Sequence, residues 1–479
     1  MPAVTGSKQL YRSIKLFTSR WVKDHLKPLD IETDVSFESW LEDTGYEEWR
    51  KAELREVYEN VLNPLQNLSK KRREHFLVDL FAKDENYLDF KHARGIYARD
   101  DIAKCYFGPY FKRIEDQLYK NPSFIKHVPV SDRAAYIYDK LHSPGAVYVQ
   151  TDYTSYESHF SPELMQACEF VLYKYMLRGV LGGSEALYVM KEVLQGVNPI
   201  KNKFFSCAVL ACRMSGEMNT SLGNGFSNLM LYSYQCYKLG VPVNGVVEGD
   251  DGLFAALPGQ HPTTDMFTKS GCIIKLNVFE RISDASFCGL LFDETDKQII
   301  TDPLKVLLKF GWTTKQYANA GQRKLTGLLR AKAMSFMVQY PGCPLVAALS
   351  RYGMRVSRGY DVRKLISRKG INEYERELSR YALANFHKYM DVEIGIQTRL
   401  LFEELFGIDV MTQLVIEEYF DNKNDLSPIN LDLISDVFPT QYGVYWNNYV
   451  IAVTRQSDMH NFIETYPYIR HVAVDLAAL

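Results

Sequence analysis

The chain has 479 residues, 46% of them hydrophobic and 24% charged, with a formal net charge of −2. This composition excludes a disordered or fibrous chain, and about 100–200 residues per domain predicts two to four domains. No run approaches the ~18 apolar residues of a membrane span, and the start MPAVTGSKQLYRSIK has no apolar signal core. In chain order, residues 1–60 mix acids with helical apolar periodicity, as in EDTGYEEWRKAELREVYENVL. Ala146–Asp152 (AVYVQTD) reads as a strand ending on an acid. Ser161 and Pro162 open a helix as N-cap and first residue, and Gly179 lies near its end. Asn219–Leu239 is a second long helix, stopped by Gly240 and Pro242. Val243–Leu257 holds two apolar runs around Gly249-Asp250-Asp251-Gly252, a hairpin signal. Beyond Pro303 helical patterns dominate, and no linker or repeat appears, so the domains are expected to pack together.

The eight cysteines lack C-x-x-C spacing. They are expected to be free thiols in a reducing compartment, with Cys207, Cys212 and Cys288 in the core. A core or helix-entry role is likewise expected for His159. The small net charge conceals segregation. Residues 303–360 carry ten Lys/Arg and no acid, 91–126 carry eight Lys/Arg and four acids, and 391–436 carry eleven acids against Arg399 and Lys423. One-sign stretches of this length fit either a face toward a polyanion or positive and negative segments that balance each other in the fold.

Asp250 and Asp251 stand at a tight turn between apolar strands, and Asp152 ends another strand. If the strands are neighbours, the carboxylates converge and need a cation to offset repulsion and desolvation. Carboxylates from two strand ends suit Mg²⁺ in phosphate chemistry, and two such ions clamp the oxygens of an in-line displacement.

Asp152-Tyr-Thr-Ser-Tyr-Glu157 resembles motif A of viral RNA-dependent RNA polymerases. Ser215-Gly216 with Thr220 and Asn224 matches motif B, S-G-x-x-x-T-x-x-x-N, and Gly249-Asp250-Asp251 matches motif C, 98 residues after Asp152. Lys91, Arg94 and Arg99 resemble basic motif F, Lys275 the motif D lysine, and Phe287-Cys288-Gly289 the motif E turn. The wording CRMSGEMNTSLGN is similar to that of tombusvirus-like positive-strand RNA viruses.

The resemblance implies an α+β right-hand polymerase whose antiparallel palm sheet packs on helices. Residues 1–60 would bridge fingers and thumb, 61–145 form the fingers, 146–302 the palm with a fingers insertion at 162–205, and 303–479 the thumb. Asp152 and Asp250, with Asp251 close by, would hold two Mg²⁺, for which Mn²⁺ is a substitute. Lys91, Arg94 and Arg99 would line the nucleotide entry channel and hold the triphosphate. Glu157, where the family usually has Asp, would read the ribose 2′-OH together with Asn224 and the Thr220 hydroxyl. Ser215-Gly216 would form a flexible loop, and Lys275 would protonate pyrophosphate. The implied partners are an RNA template, the product duplex, NTPs, and viral or host replication proteins that recruit the enzyme to membrane-associated compartments of the host cytoplasm. The positive stretch 303–360 would meet the exiting duplex. A reverse transcriptase or other palm-type nucleotidyl transferase is the alternative in chemistry, and a non-catalytic RNA-binding scaffold the alternative of another class.

Overall fold

The computed structural model describes residues 6–62, 76–83, 92, 94–307, 310–311, 317, 320–366, 373–427 and 429. The described residues of 1–83 and 94–289 form one compact unit, and those of 290–479 a second.

The first unit opens with three helices, α1 (Lys8–His25), α2 (Phe37–Asp43) and α3 (Glu48–Val57), the first two capped by the side chains of Ser7 and Ser36. There follow β1 (Val78–Ala82), β2 (Gly95–Arg99), α4 (Asp101–Leu118), α5 (Arg133–Leu141) and β3 (Val147–Tyr153). Next come α6 (Pro162–Ala167), α7 (Glu169–Met176), α8 (Gly183–Leu194), β4 (Val197–Lys201) and β5 (Ser206–Leu210). The unit closes with α9 (Thr220–Leu239), β6 (Asn244–Glu248), β7 (Asp251–Ala256), α10 (Thr264–Thr268) and β8 (Ile274–Phe279). The expected strand, the Ser161 cap and the Gly240 stop are all present. The single helix expected after Ser161 is instead broken at Cys168, whose backbone leaves the helical region (φ −112°, ψ −89°).

Two sheets organise this unit. An all-antiparallel sheet has the order β6-β7-β3-β8, and a mixed sheet has the order β2-β1-β4-β5, its β1–β4 pair parallel. Helix α9 is apolar around most of its circumference and buried from Leu222 to Cys236, as expected of a central core helix. It packs on β6 and β7, where the Tyr232 ring stacks on Phe254 at 3.5 Å. Phe254 in turn lies over Gly245 of the paired strand, where an added methyl carbon would meet the ring at 2.0 Å. Helix α1 packs on α6, α7 and α9, and α2 and α3 pack on α4.

Among its described residues the second unit contains a small hairpin, β9 (Leu291–Phe292) with β10 (Ile299–Ile300), and helices dominate the rest, as expected. Its helices include α11 (Pro303–Leu307), α12 (Gln322–Gln339), α13 (Val346–Val356), α14 (Arg363–Ile366), α15 (Glu373–Asn385), α16 (Ile396–Phe406) and α17 (Val410–Asn422). Part of its positive stretch is spent internally. Arg351 pairs with Asp421 at 2.8 Å, and Arg355 donates to the carbonyls of Phe420 (2.6 Å) and Lys423 (2.8 Å) at the end of α17. Cations at a helix C-terminus complete its orphan carbonyls and complement its dipole. Arg351 is thus balanced by an acid of the negative segment, and Arg355 by the carbonyls that end α17.

A buried chain of charges joins the mixed sheet to the helices of the first unit. Arg213 is fully buried and pairs with Glu169 at the start of α7, and with Glu217 at 3.5 Å. Glu217 also accepts from Arg99 at the end of β2, whose guanidinium donates further to Asn198 (2.7 Å) and the Phe76 carbonyl (3.2 Å). Burial raises the Glu169 pKa against the opposing pull of Arg213; burial works against the charge on Arg213, but Glu169, Tyr173 and Glu217 raise its pKa. Removing one partner of such a pair strands the other charge away from water. Glu169→Ala is therefore expected to cost about 3–5 kcal/mol in urea unfolding; a loss below about 1 kcal/mol would show that Arg213 does not depend on it.

Candidate active site

The antiparallel ladder brings the expected carboxylates together. Thr151 pairs with Gly252, so Asp152 continues the ladder opposite the start of β7. Glu248 pairs with Asp251, leaving Gly249-Asp250 as a two-residue turn, with Gly249 in the left-handed region at φ 62°. Glycine takes that conformation without the steric cost of a side chain. The close approach of β3 and β7 also needs glycine at 252, where an added methyl carbon would meet the Thr151 hydroxyl at 2.7 Å.

Asp250 reaches solvent, yet its pKa is raised, by the surrounding protein first and then by the charges of Glu157 and Asp152, with Arg94 opposing them. Asp251 is pushed up to about 6 by burial, then by Asp250, with further repulsion from Glu248 and Asp152 and a hydrogen bond from Cys288 opposing. Asp152, Asp250, Asp251, Glu157 and Arg94 thus act on one locality. Among the described residues no group of three carboxylate, thiol or imidazole side chains is arranged to hold a metal ion by itself. The donor set still suits a hard divalent cation: carboxylate oxygens that repel one another, with room for water and substrate phosphates to complete the shell. Lys275 lies on β8 directly across from Asp152, exposed like it, so the two opposite charges share a face of the sheet.

The turn is held from α9 by a residue that the motif reading missed. The Asn228 amide nitrogen donates to the carbonyls of Gly249 (3.4 Å), Asp250 (2.9 Å) and Asp251 (3.1 Å). A signal was present: Asn228 follows Asn224 by one helical turn, a second amide on the same face of the helix.

Glu157 sits on a short 3₁₀ turn, Tyr156–His159, just after β3. Its carboxylate accepts from the Asn224 amide at 3.5 Å, and its carbonyl accepts from the Arg213 backbone N–H at 3.0 Å. Arg213 Nε donates to Asn224 Oδ1 at 3.2 Å. The expected Glu157–Asn224 pair is therefore present. The Thr220 hydroxyl is not part of it; it donates to the Met214 carbonyl at 3.0 Å and fixes the entry to α9. Nor is Ser215-Gly216 a free loop. Gly216 N–H donates to the Tyr97 carbonyl at 2.9 Å, the Ser215 hydroxyl accepts from Tyr97 N–H at 3.2 Å, and an added methyl carbon at 216 would lie 2.9 Å from Ala98 Cα. Glycine is needed there for the close contact with β2.

Arg99 does not line a channel: it is buried, and Glu217, Asn198 and Phe76 take its donors. Arg94, exposed at the start of β2, is a basic residue whose charge acts on Asp250. Lys91 lies outside the described residues. The turn expected at Phe287–Gly289 is present, with Cys288 and Gly289 both left-handed (φ 53° and 74°). The three cysteines expected in the core are not there: Cys207 is exposed, and Cys212 and Cys288 are half-buried. Their apolar neighbours in sequence alternate across a sheet or border tight turns, so local hydrophobicity overstates burial. His159 is half-buried and accepts from Ile273 N–H at 3.4 Å, and burial lowers its pKa.

The chain is 25% identical to an RNA-directed RNA polymerase of Pothos latent virus over 80% of its length, and 22% identical to that of Turnip crinkle virus over 83%. It spans about half of those relatives, 53% and 51% of their lengths. Among solved structures, the RNA-dependent RNA polymerase of a human picorbirnavirus has the same fold, with a TM-score of 0.51 at 13% identity over 66% of this chain and 64% of that one. A family model described as viral RNA dependent RNA polymerase matches residues 53–426, most of the chain, and the protein belongs to that family.

Proposed function

We propose that the chain carries out template-directed RNA synthesis by nucleotidyl transfer from NTPs, with Asp152 and Asp250 as the principal holders of two Mg²⁺ ions and Asp251 beside them. The observation that carries this reading is the convergence of the three carboxylates at one end of the antiparallel sheet, inside a chain of the viral polymerase family. Bound divalent cations would offset the carboxylate repulsion and polarise both the attacking 3′-oxygen and the leaving pyrophosphate. The rest of the task falls to the chain's own groups. Asn228 restrains the turn through its carbonyls, so the aspartate side chains are presented at fixed spacing. Arg94 faces the negative locality from the start of β2 and is placed to meet triphosphate oxygens, bidentately where geometry permits. Glu157, oriented through Asn224, offers a carboxylate acceptor to a ribose 2′-OH. Lys275 offers a proton to pyrophosphate from the strand position opposite Asp152. No described helix is long and apolar enough to cross a membrane.

Asp250→Ala is expected to leave the unfolding transition in place and to lower NTP incorporation on a short RNA template by about a thousand-fold or more; near-normal incorporation would remove Asp250 from the site. Glu157→Gln is expected to lower the preference for NTP over dNTP by about ten-fold or more, measured as a ratio of kcat/KM; an unchanged ratio would move sugar reading elsewhere. Because Asp251 takes up its proton near pH 6, incorporation should fall as pH is lowered through about 6. Raising Mg²⁺ should shift that midpoint to lower pH, since a cation favours the carboxylate form. A midpoint insensitive to Mg²⁺ would separate the titrating group from the metal.

A further inference from the structure

The β4–β5 hairpin ends in an exposed aromatic pair that the site described above does not use. Phe204 is 84% and Phe205 52% exposed. The tip is held rigidly. Asn202 N–H donates to the Phe205 carbonyl (2.9 Å), its side-chain oxygen accepts from Phe204 N–H (3.0 Å), and its amide nitrogen donates to the Leu80 carbonyl of β1 (2.8 Å). One asparagine therefore shapes the turn and ties it to the next strand, so the backbone of the tip has little freedom left to lose on binding, and both phenyl rings are presented to solvent. Lys201 and Lys203 flank the rings and are exposed, with the Lys203 ammonium 5.5 Å from the Phe204 ring centre.

The register of the mixed sheet gives this tip a location. Strand β1 runs parallel to β4, with Asp79 beside Lys201, and antiparallel to β2, with Ala82 opposite Gly95. The end of β4, the end of β1 and the start of β2 therefore lie at one end of the sheet. Arg94, which acts on Asp250, stands at the start of β2. The aromatic tip thus shares a sheet end with the group that faces the carboxylates. Within these four strands and the tip, Asp79 is the one acid, against Arg99, Lys201 and Lys203, and of these Arg99 is buried against Glu217.

We propose that this tip is a contact for the single-stranded template on its way to the carboxylate site, with Phe204 and Phe205 stacking on unpaired bases and Lys201 and Lys203 meeting the adjoining phosphates. The proposal rests on the polymerase reading and chooses the aromatic residues of the template path. Stacking is sequence-tolerant because every base has a π-face, as a general template requires. A duplex keeps its bases stacked inside and offers the rings nothing equivalent, so the tip serves the unpaired strand.

The test uses the full chain and a fluorescein-labelled oligouridylate, followed by anisotropy across a salt series without nucleotides. The double substitution Phe204→Ala with Phe205→Ala lies on exposed positions and is expected to weaken binding by about ten-fold or more. It should also raise the template concentration for half-maximal incorporation by a larger factor than it lowers the maximal rate. Lys201→Ala with Lys203→Ala is expected to reduce the slope of log affinity against log salt by about 1.4. Wild-type oligouridylate affinity in the double phenylalanine variant overturns the proposal, and so does an equal loss for blunt duplex RNA. Tip-dependent binding to phosphatidylserine vesicles with RNA affinity unchanged overturns it in favour of a lipid surface. Because the binding assay needs no nucleotide, a wild-type chain that binds oligouridylate through the tip yet incorporates nothing overturns the polymerase reading and leaves the contact standing.

Discussion

The Arg213 guanidinium is the fixed point of the first unit. It can only donate, so the Asn224 oxygen must turn toward it, and the Asn224 amide nitrogen is left facing Glu157. The same residue's backbone N–H holds the Glu157 carbonyl, and its guanidinium carbon lies 4.6 Å from the centre of the Phe160 ring. A charge this deeply buried persists only with compensation, and Glu169 and Glu217 supply it. Glu217 carries the arrangement on to Arg99, and hence to β2 and the strand start where Arg94 stands. The sugar-reading pair and the basic strand are thereby set by one net-neutral run of side chains. Its value lies in specificity of arrangement, since each member has few alternative partners away from water.

What was legible in the sequence was local. The Ser161 cap, the Gly240 stop, the strand ending on Asp152 and the hairpin around Gly249 each depend on residues within a few positions, and all are found. The joint placement of Asp152 and Asp250 needed the motif order as well, because strand pairing across 98 residues has no local signature. Arg99 shows where such reading stops. Its spacing from Arg94 resembles a basic motif, but its role is decided by Glu217, 118 residues on, and by Asn198, 99 residues on. The break at Cys168 is of the same kind. Nothing in ACEFV disfavours helix, and the interruption coincides with the burial of Glu169 against a distant arginine.

Segment charge behaves similarly. Ten cations without an acid over 303–360 are visible in the sequence, but whether a cation faces solvent depends on what packs beside it. Arg351 and Arg355 lie on α13, and α13 packs on α17, whose Asp421 and terminal carbonyls take up their donors. Local charge was the right quantity to read, and pairing is the correction it requires. Where the polar atoms beside a lysine are already engaged, as Asn202 is within the β4–β5 tip, the cation stays exposed and available to an anion.

The carboxylate site follows a related rule. Asp152, Asp250 and Asp251 repel one another, and burial adds to the cost, as the raised pKa values of the adjacent pair register. A side chain that bound these carboxylates directly would relieve the repulsion and also occupy the oxygens a cation needs. The restraint instead acts on the main chain. Asn228 binds carbonyls, Gly249 supplies the left-handed turn, and Gly252 allows β3 and β7 to approach closely. Backbone restraint thus holds the charges together while leaving the Asp250 carboxylate outside the restraining bonds. That division of labour allows a strained acidic cluster to persist in a stable sheet and to gain most when a divalent cation and a triphosphate arrive together.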